Sequence, residues 1–229
     1  MNITPYSASD AFNIADYPAL KLFLPCNEGA GNSLIDAVSN QAIATGIALD
    51  WSVANAVKII AGSTAINLPL PTPIPVGTAP ALFFAVFNTG LLSTLSLTGA
   101  NNSIFSFSSG ISVGDSAAVV SLGSTIEGEV HGYGIQFTAG TANEGTLYNA
   151  TNTVWASPTV ASASPGDLTT MPDMTLANLG STFGDLVLYM AGFMTPAVFP
   201  ADIKAALSWM TASALAGDKR PYPGWKGLA

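Results

Sequence analysis

The stretch that decides the fold is Leu20 to Asn40, which reads LKLFLPCNEGAGNSLIDAVSN. Its first residues alternate between apolar and polar side chains, which predicts a β-strand. Gly29 and Gly31 then allow positive backbone φ angles, so the chain can reverse its direction there. Apolar residues return between Leu34 and Val38. The segment is therefore predicted to be the first strand and the first tight turn of an all-β domain.

Short β-prone runs, separated by turns of glycine, asparagine and serine, follow along most of the chain. They recur at intervals of roughly 8–14 residues, a spacing typical of a two-sheet antiparallel β-sandwich. Residues 157–182 are rich in serine, proline, glycine and threonine and are predicted to form a loop, with a short strand at Met174–Ala177. The other predicted strands are Ile43–Leu49, Val57–Ile60, Leu92–Leu97, Ser103–Ser108, Ala117–Leu122, Glu129–Phe137, Thr146–Asn149, Val154–Ala156 and Asp185–Phe193.

Residues 68–76, LPLPTPIPV, alternate proline with other residues. In an extended strand alternate N–H groups point to the same side, so all four missing donors would lie along one edge. The other edge could still pair, which is how an edge strand tolerates proline and resists adding a partner. A polyproline II ligand is the alternative interpretation. The next run, Ala81–Phe87, is continuously apolar and is predicted to be a central core strand.

One helix is predicted, at about Pro200–Ala216, with proline in its first turn and Gly217 after its end. Apolar residues at helical spacing form one face of it: Ile203, Ala206, Leu207, Met210 and Ala214. We therefore divide the chain into an N-terminal arm at residues 1–19, a β-sandwich with the helix at 20–217, and a C-terminal tail at 218–229.

The composition limits the classes of partner. Charged residues make up 9% of the chain, whereas a soluble domain has about 25%. This indicates either a surface buried against other subunits or a soluble protein rich in serine, threonine and glycine. The net charge is −8, and four of the six basic residues lie at the C-terminal end, so phosphate contacts to nucleic acid are not expected. No apolar run reaches the ~18 residues that span a bilayer, so no membrane segment is expected.

Five parts of the sequence resemble, in this order, the laminin-G-like (LamG) members of the concanavalin A-like lectin and glucanase superfamily. They are the opening stretch Leu20–Asn40, Trp51, the stretch before Ala81–Phe87, the segment GYGIQFTAGTANEGTLYNA at Gly132–Ala150, which resembles a hairpin of the family, and the segment Leu176–Leu207. The sequence has Leu147-Tyr-Asn-Ala where the family has an aspartate–glycine pair. The resemblance implies a jelly-roll sandwich, and it implies a lectin, an adhesion module or a glycoside hydrolase as the class of function.

Catalysis of glycoside hydrolysis would need two carboxyl groups that face each other across a sugar. Glu127 and Glu129 are two residues apart and would share one face of a strand. The alternative is a solvated strand end, which we favour. His131, the single histidine, is expected to be a hydrogen-bonded structural residue. Cys26, the single cysteine, is expected in the core and not as a nucleophile. We therefore expect no enzyme.

A calcium ion would need several oxygen ligands, and Glu28 and Asp36 in the opening turn are candidates for them. The alternative, which we favour, is that these two carboxylates hold the backbone N–H groups of the turn. No other cofactor is expected. Sugar binding normally uses aromatic rings as stacking platforms, and the candidates for this role are Tyr133, Tyr148 and Trp155.

These observations favour a non-enzymatic virion structural protein, most simply a bacteriophage capsid-decoration (cement) or tail-associated protein. It would bind major capsid or tail subunits and copies of itself, and it would be made in the host cytoplasm, since no signal peptide is visible. The aromatic residues of the arm and tail are the candidate contacts: Tyr6, Phe12, Tyr17, Tyr222 and Trp225. The alternative is a lectin-like module that attaches to a surface glycan, and a glycoside hydrolase is the third hypothesis.

Overall fold

A computed structural model describes residues 17–26, 29–60, 66–75, 81–89, 95–99, 102–107, 111–114, 119–123, 128–138, 143–151, 154–155, 159–163, 170–176, 185–195 and 201–215. These ranges form sixteen β-strands and one α-helix. The strands are β1 (Leu20–Leu24), β2 (Ser33–Asp36), β3 (Gln41–Ala44), β4 (Val57–Ile59), β5 (Ile66–Pro75), β6 (Ala81–Thr89), β7 (Leu95–Gly99), β8 (Asn102–Phe107), β9 (Ile111–Gly114), β10 (Val119–Gly123), β11 (Val130–Thr138), β12 (Asn143–Thr151), β13 (Val154–Trp155), β14 (Thr159–Ala163), β15 (Thr170–Leu176) and β16 (Leu186–Met194), and the helix is α1 (Ala201–Leu215).

The strands form two main antiparallel sheets and one hairpin. The large sheet has the order β1-β16-β6-β11-β12-β13, with β14 also paired to β12 and β4 also paired to β16. The small sheet has the order β10-β9-β8-β7-β15-β5, and β2 pairs with β3. The predicted all-β antiparallel sandwich with one helix is therefore confirmed.

The large sheet is buried on both faces, which explains the continuous apolar run of β6. Phe83, Ala85 and Phe87 belong to a core cluster that includes apolar residues of the small sheet. Leu82 and Phe84 belong to a second cluster, which includes Leu207 and Met210 of α1. Because successive side chains of a strand point to opposite faces, the two clusters lie on opposite sides of the sheet. We call the face toward the small sheet the inner face and the other the outer face.

The first and last strands pair with each other, since Leu22 lies opposite Phe193 and Leu24 opposite Ala191. The proline-containing strand β5 is the terminal strand of the small sheet, as its missing N–H donors require. The segment Gly132–Ala150 contains the β11–β12 hairpin that the family resemblance implied.

Helix α1 spans fifteen residues and matches the prediction closely. It packs against the outer face beside Gly132, where a Cβ atom would overlap Thr211 Oγ1. Thr211 Oγ1 donates a hydrogen bond of 2.7 Å to the carbonyl oxygen of Leu207 within the helix. Glycine in β11 therefore allows the helix to approach closely. In the part of the chain that the structure describes, no helix has both the length and the apolar character to cross a membrane.

Several boundaries differ from the prediction. Residues 157–182 contain the whole of β14 and of β15, because backbone pairing to β12, β5 and β7 organises this segment. The predicted strand at Ile43–Leu49 ends at Ala44, and Gly46 has a φ of +71°. Tyr17 and Ala19, at the end of the predicted arm, pack against the outer-face cluster.

Candidate functional site

Asp36 holds the opening turn together from a buried position, with 1% of its surface exposed. Its Oδ1 accepts the N–H groups of Phe23 at 3.0 Å and Val38 at 3.1 Å. Its Oδ2 accepts the N–H of Ser39 at 3.2 Å and the hydroxyl of the same serine at 2.6 Å. Four donors therefore converge on one carboxylate, and the structural interpretation of Asp36 is confirmed.

This arrangement does not fit a calcium ligand, because a cation would have to replace donors that point at the same oxygens. Glu28, the other candidate, lies outside the described residues. Among the residues that the structure describes, no three histidine, cysteine, aspartate or glutamate side chains come together to hold a metal ion. Trp51, which the resemblance singled out, closes the same region by donating its indole N–H to Gly31 O at 2.9 Å.

His131 and Tyr133 form a buried aromatic stack on the inner face of β11. Their ring centroids are 5.1 Å apart with an interplanar angle of 15°, and Phe87 lies 6.0 Å and 6.1 Å from the two rings. Tyr133 is 5% exposed, so its predicted role as an open stacking platform for sugars is wrong. Burial, and secondarily the charge of Glu129, raises the pKa of Tyr133. The structural interpretation of His131 fits its position in this stack.

Glu129 is exposed and precedes β11, which begins at Val130. Gly128 has a φ of +79°, which is not an extended conformation. The argument that Glu127 and Glu129 share one strand face therefore does not apply, and Glu127 lies outside the described residues. A solvated carboxylate at a strand end describes Glu129 well.

Tyr148 on β12 is a predicted stacking residue that is partly exposed. Its hydroxyl donates a hydrogen bond of 3.4 Å to Gln136 Oε1. The ammonium nitrogen of Lys204 lies 5.0 Å from the centroid of its ring, within the distance of a cation–π contact. Partial burial raises the pKa of the Tyr148 hydroxyl, so it stays protonated as a donor. We call Tyr148, Gln136 and Lys204 the Tyr148 surface.

Three elements build this surface, the two strands of the β11–β12 hairpin and helix α1. Gln136 belongs to β11 and lies diagonally across the hairpin from Tyr148, because Gly134 is directly opposite Tyr148 and Gln136 is opposite Thr146. Lys204 stands in the first turn of α1. Sequence reasoning identified Tyr148 but missed Gln136 and Lys204. The hairpin register would have found Gln136, whereas Lys204 depends on where the helix packs.

Of the remaining aromatic candidates, the structure describes only Trp155 and Tyr17. Trp155 lies opposite Ala150 at the edge of the large sheet. Tyr17 packs against the outer-face cluster of its own domain. The other arm and tail aromatics, Tyr6, Phe12, Tyr222 and Trp225, lie outside the described residues. Their predicted contacts, the virion partners and the localisation in a virion stay predictions.

No protein-family model matches the chain. No curated protein matches its sequence either. Solved structures do match its fold. The chain superposes on botulinum neurotoxin type C, in a structure concerned with its interaction with two ganglioside molecules, with a TM-score of 0.60 and 10% identity, covering 86% of this chain and 53% of the toxin chain.

Two further structures show the same likeness. The binding domain of botulinum neurotoxin DC in complex with SialylT matches with a TM-score of 0.55 and 10% identity, over 84% of this chain and 51% of that chain. Trypanosoma rangeli sialidase in complex with sialic acid matches with a TM-score of 0.55 and 12% identity, over 84% of this chain and 33% of the enzyme. The chain thus spans about half of each toxin chain and a third of the sialidase, and the likeness shows that it shares their β-sandwich fold.

Proposed function

We propose that this protein is a non-enzymatic, lectin-like module that binds a glycan at the Tyr148 surface. The observation that carries the proposal is the convergence of a partly exposed aromatic ring, an amide and an ammonium group. Gln136 Oε1 lies 3.4 Å from the Tyr148 hydroxyl, and Lys204 Nζ lies 5.0 Å from the ring centroid.

These groups supply the contacts that a sugar requires. An aromatic ring offers an apolar face to the C–H groups of a pyranose, while its hydroxyl remains a polar group at the rim. The amide of Gln136 can both donate and accept hydrogen bonds with sugar hydroxyls, and the ammonium of Lys204 can donate three. A site with few polar groups around an apolar platform is the usual design of a small-ligand site.

The rest of the hairpin holds the surface in place. Tyr148 packs against the outer-face cluster. Its strand, β12, pairs continuously with residues 132–138 of β11, and this pairing holds the backbone of Tyr148 in place. Little conformational entropy would then be lost when a ligand binds the ring, which favours measurable affinity from a small contact area.

The structural neighbours support the same class of function. The matched toxins are described in connection with gangliosides and SialylT, and the matched sialidase with sialic acid. Because this chain corresponds to only part of each neighbour, their ligands enter here as support for a proposal about glycans.

The chemistry of the Tyr148 surface favours binding without catalysis. Tyr148, Gln136 and Lys204 supply no carboxyl group, whereas glycoside hydrolysis ordinarily uses two. The carboxylate of Asp36 accepts four hydrogen bonds in the opening turn. An attachment module of a virion, which the sequence analysis raised, would be compatible with this function and stays a prediction.

A glycan array probed with the intact chain tests the proposal. We expect binding to at least one sugar class, loss of that binding in Tyr148→Ala, and weaker binding in Gln136→Ala. Gln41→Ala is the matched control, because Gln41 is an exposed glutamine on β3. An array without a bound glycan, or a Tyr148→Ala variant that binds like the wild type, would overturn the proposal.

A further inference from the structure

We infer that the Tyr148 surface selects sugars that carry a carboxylate over their neutral counterparts. This inference rests on the proposed glycan-binding function and adds the class of ligand. It follows from the position of Lys204, which stands where a stacked sugar would lie.

The Lys204 ammonium lies over the ring of Tyr148, at 5.0 Å from its centroid. Tyr148 also packs against the outer-face cluster, so the protein covers part of this side chain. A pyranose that stacks on the ring face below Lys204 must therefore move the ammonium aside. The exchange loses the cation–π contact, which is a weak interaction at an exposed position.

A neutral sugar offers the displaced ammonium only its uncharged hydroxyl oxygens as acceptors. A sugar with a carboxylate can stack on Tyr148 and accept charge-assisted hydrogen bonds from the displaced ammonium, which are stronger than those between neutral groups. The lysine side chain is long and has several rotatable bonds, so it can swing from the ring to the carboxylate without moving the helix. The net result favours the acidic sugar.

The helix adds to the positive potential at this place. Lys204 stands in the first turn of α1, which begins at Ala201, and a helix N-terminus carries a partial positive charge. The whole chain has a net charge of −8, which repels every anion at long range and is screened by salt. A comparison of matched acidic and neutral sugars among variants of the same protein isolates the local contribution of Lys204.

The test uses two matched pairs of probes, sialyllactose against lactose and galacturonic acid against galactose. Affinities are measured by saturation-transfer NMR on the intact wild-type protein and on Lys204→Met, which removes the charge and keeps an apolar side chain of similar length. We expect Lys204→Met to weaken the binding of the acidic sugars by roughly fivefold, equivalent to about 1 kcal/mol. The affinity for the neutral sugars should fall by less, so that the ratio of acidic to neutral affinity decreases.

Two controls separate the charge of Lys204 from other effects. Lys204→Arg retains the positive charge and should keep the preference for acidic sugars. Lys21→Met removes an exposed lysine of β1 and should leave the ratio of affinities unchanged.

The possible failures are distinguishable. If Tyr148→Ala abolishes binding but wild type and Lys204→Met show the same ratio of acidic to neutral affinity, this inference is wrong and the proposed function stands. If neither probe pair nor any glycan of the array binds, the proposed function fails and this inference fails with it.

Discussion

Asp36 Oδ1 accepts a hydrogen bond of 3.0 Å from the backbone N–H of Phe23. A side chain of the β2–β3 hairpin thus pairs with a backbone donor on the free edge of strand β1. The next residue, Ala37, donates its N–H to the carbonyl oxygen of Phe23 at 2.8 Å. Strand β1 ends the strand order of the large sheet, and the edge of a sheet exposes unpaired backbone groups. The hairpin therefore covers this edge at Phe23, and Asp36 is its main anchor.

Replacing Asp36 should destabilise the fold strongly. Asp36→Ala would leave four donors without their acceptor, three of them backbone N–H groups, and we expect a loss of about 3 kcal/mol in the free energy of unfolding. Asp36→Asn should also destabilise, because its NH₂ group would face the two donors of Ser39. Urea unfolding measures both changes.

The matched control is Asp50→Asn. Asp50 Oδ1 accepts the N–H of Ser52 at 2.8 Å in a similar short turn, but in an exposed environment. Hydrogen bonding from Ser52 lowers the pKa of Asp50, yet water can replace this bond. An Asp36→Ala variant no less stable than Asp50→Asn would contradict the role assigned to Asp36.

Much of the framework can be predicted from the sequence, because it depends on local patterns. Continuous apolar residues require β6 to be buried on both faces, and alternating prolines confine β5 to an edge. By contrast, β9 and β14 have the sequences ISVG and TVASA. These strands are short and carry little hydrophobic periodicity, and backbone pairing organises them instead, with β8 and β10 for β9 and with β12 for β14.

The candidate site depends on information that a single sequence does not carry. Tyr133 and Tyr148 both lie on the β11–β12 hairpin, but Tyr133 belongs to the inner-face cluster and Tyr148 packs with the outer-face cluster. A shift of one residue in a strand exchanges these faces. Lys204 reaches Tyr148 only because α1 packs on the outer face, and that packing needs the glycine at position 132.

A side chain at position 132 should push the helix away from the sheet. In Gly132→Ala, the new Cβ would overlap Thr211 Oγ1 and would also lie 3.1 Å from Ala150 O. We expect a destabilisation of about 1–3 kcal/mol, typical of overpacking. The double variant Gly132→Ala/Thr211→Ala should recover part of this loss, since it removes the atom in conflict. Additive losses in the double-mutant cycle would refute a direct contact.

Two buried tyrosines and the partly buried Tyr148 should resist ionisation at alkaline pH. Burial raises the pKa values of Tyr133, Tyr148 and Tyr189 above the ordinary 10.0, and Glu129 adds to the rise at Tyr133. Since the folded pKa lies above the unfolded pKa, the folded state is favoured below pH 10.0 and loses this stability as the pH rises toward the folded values.

Ultraviolet absorbance of tyrosinate during an alkaline titration measures this effect. We expect a fraction of the tyrosines to ionise at higher pH than the rest. In urea this fraction should ionise at the ordinary pKa, and in Tyr133→Phe the fraction should be smaller. Glu129→Gln should lower the pKa of Tyr133 by a minor part of its shift, because burial is the larger cause. A titration in which all tyrosines ionise together near their ordinary pKa would contradict the buried stack.

Lys58 and Asp185 join β4 to the start of β16 through an ion pair with an N–O distance of 2.6 Å. The hydrogen bond and the charge of Asp185 raise the pKa of Lys58. Both side chains are about one-third exposed, so Asp185→Asn should lower the urea midpoint only slightly, and molar salt should reduce the difference. The raised pKa means that the contribution of the pair is present below the ordinary value of 10.5 and disappears as the pH rises through the folded value.

Urea midpoints of the wild type and Asp185→Asn, compared across this pH range, isolate the pair, because the tyrosines ionise in both proteins and their effect cancels in the difference. Lys58→Met should behave like Asp185→Asn at neutral pH, since either change removes the same attraction. A difference between wild type and Asp185→Asn that persists unchanged above the pKa of Lys58 would show that Asp185 stabilises the strand end by another contact.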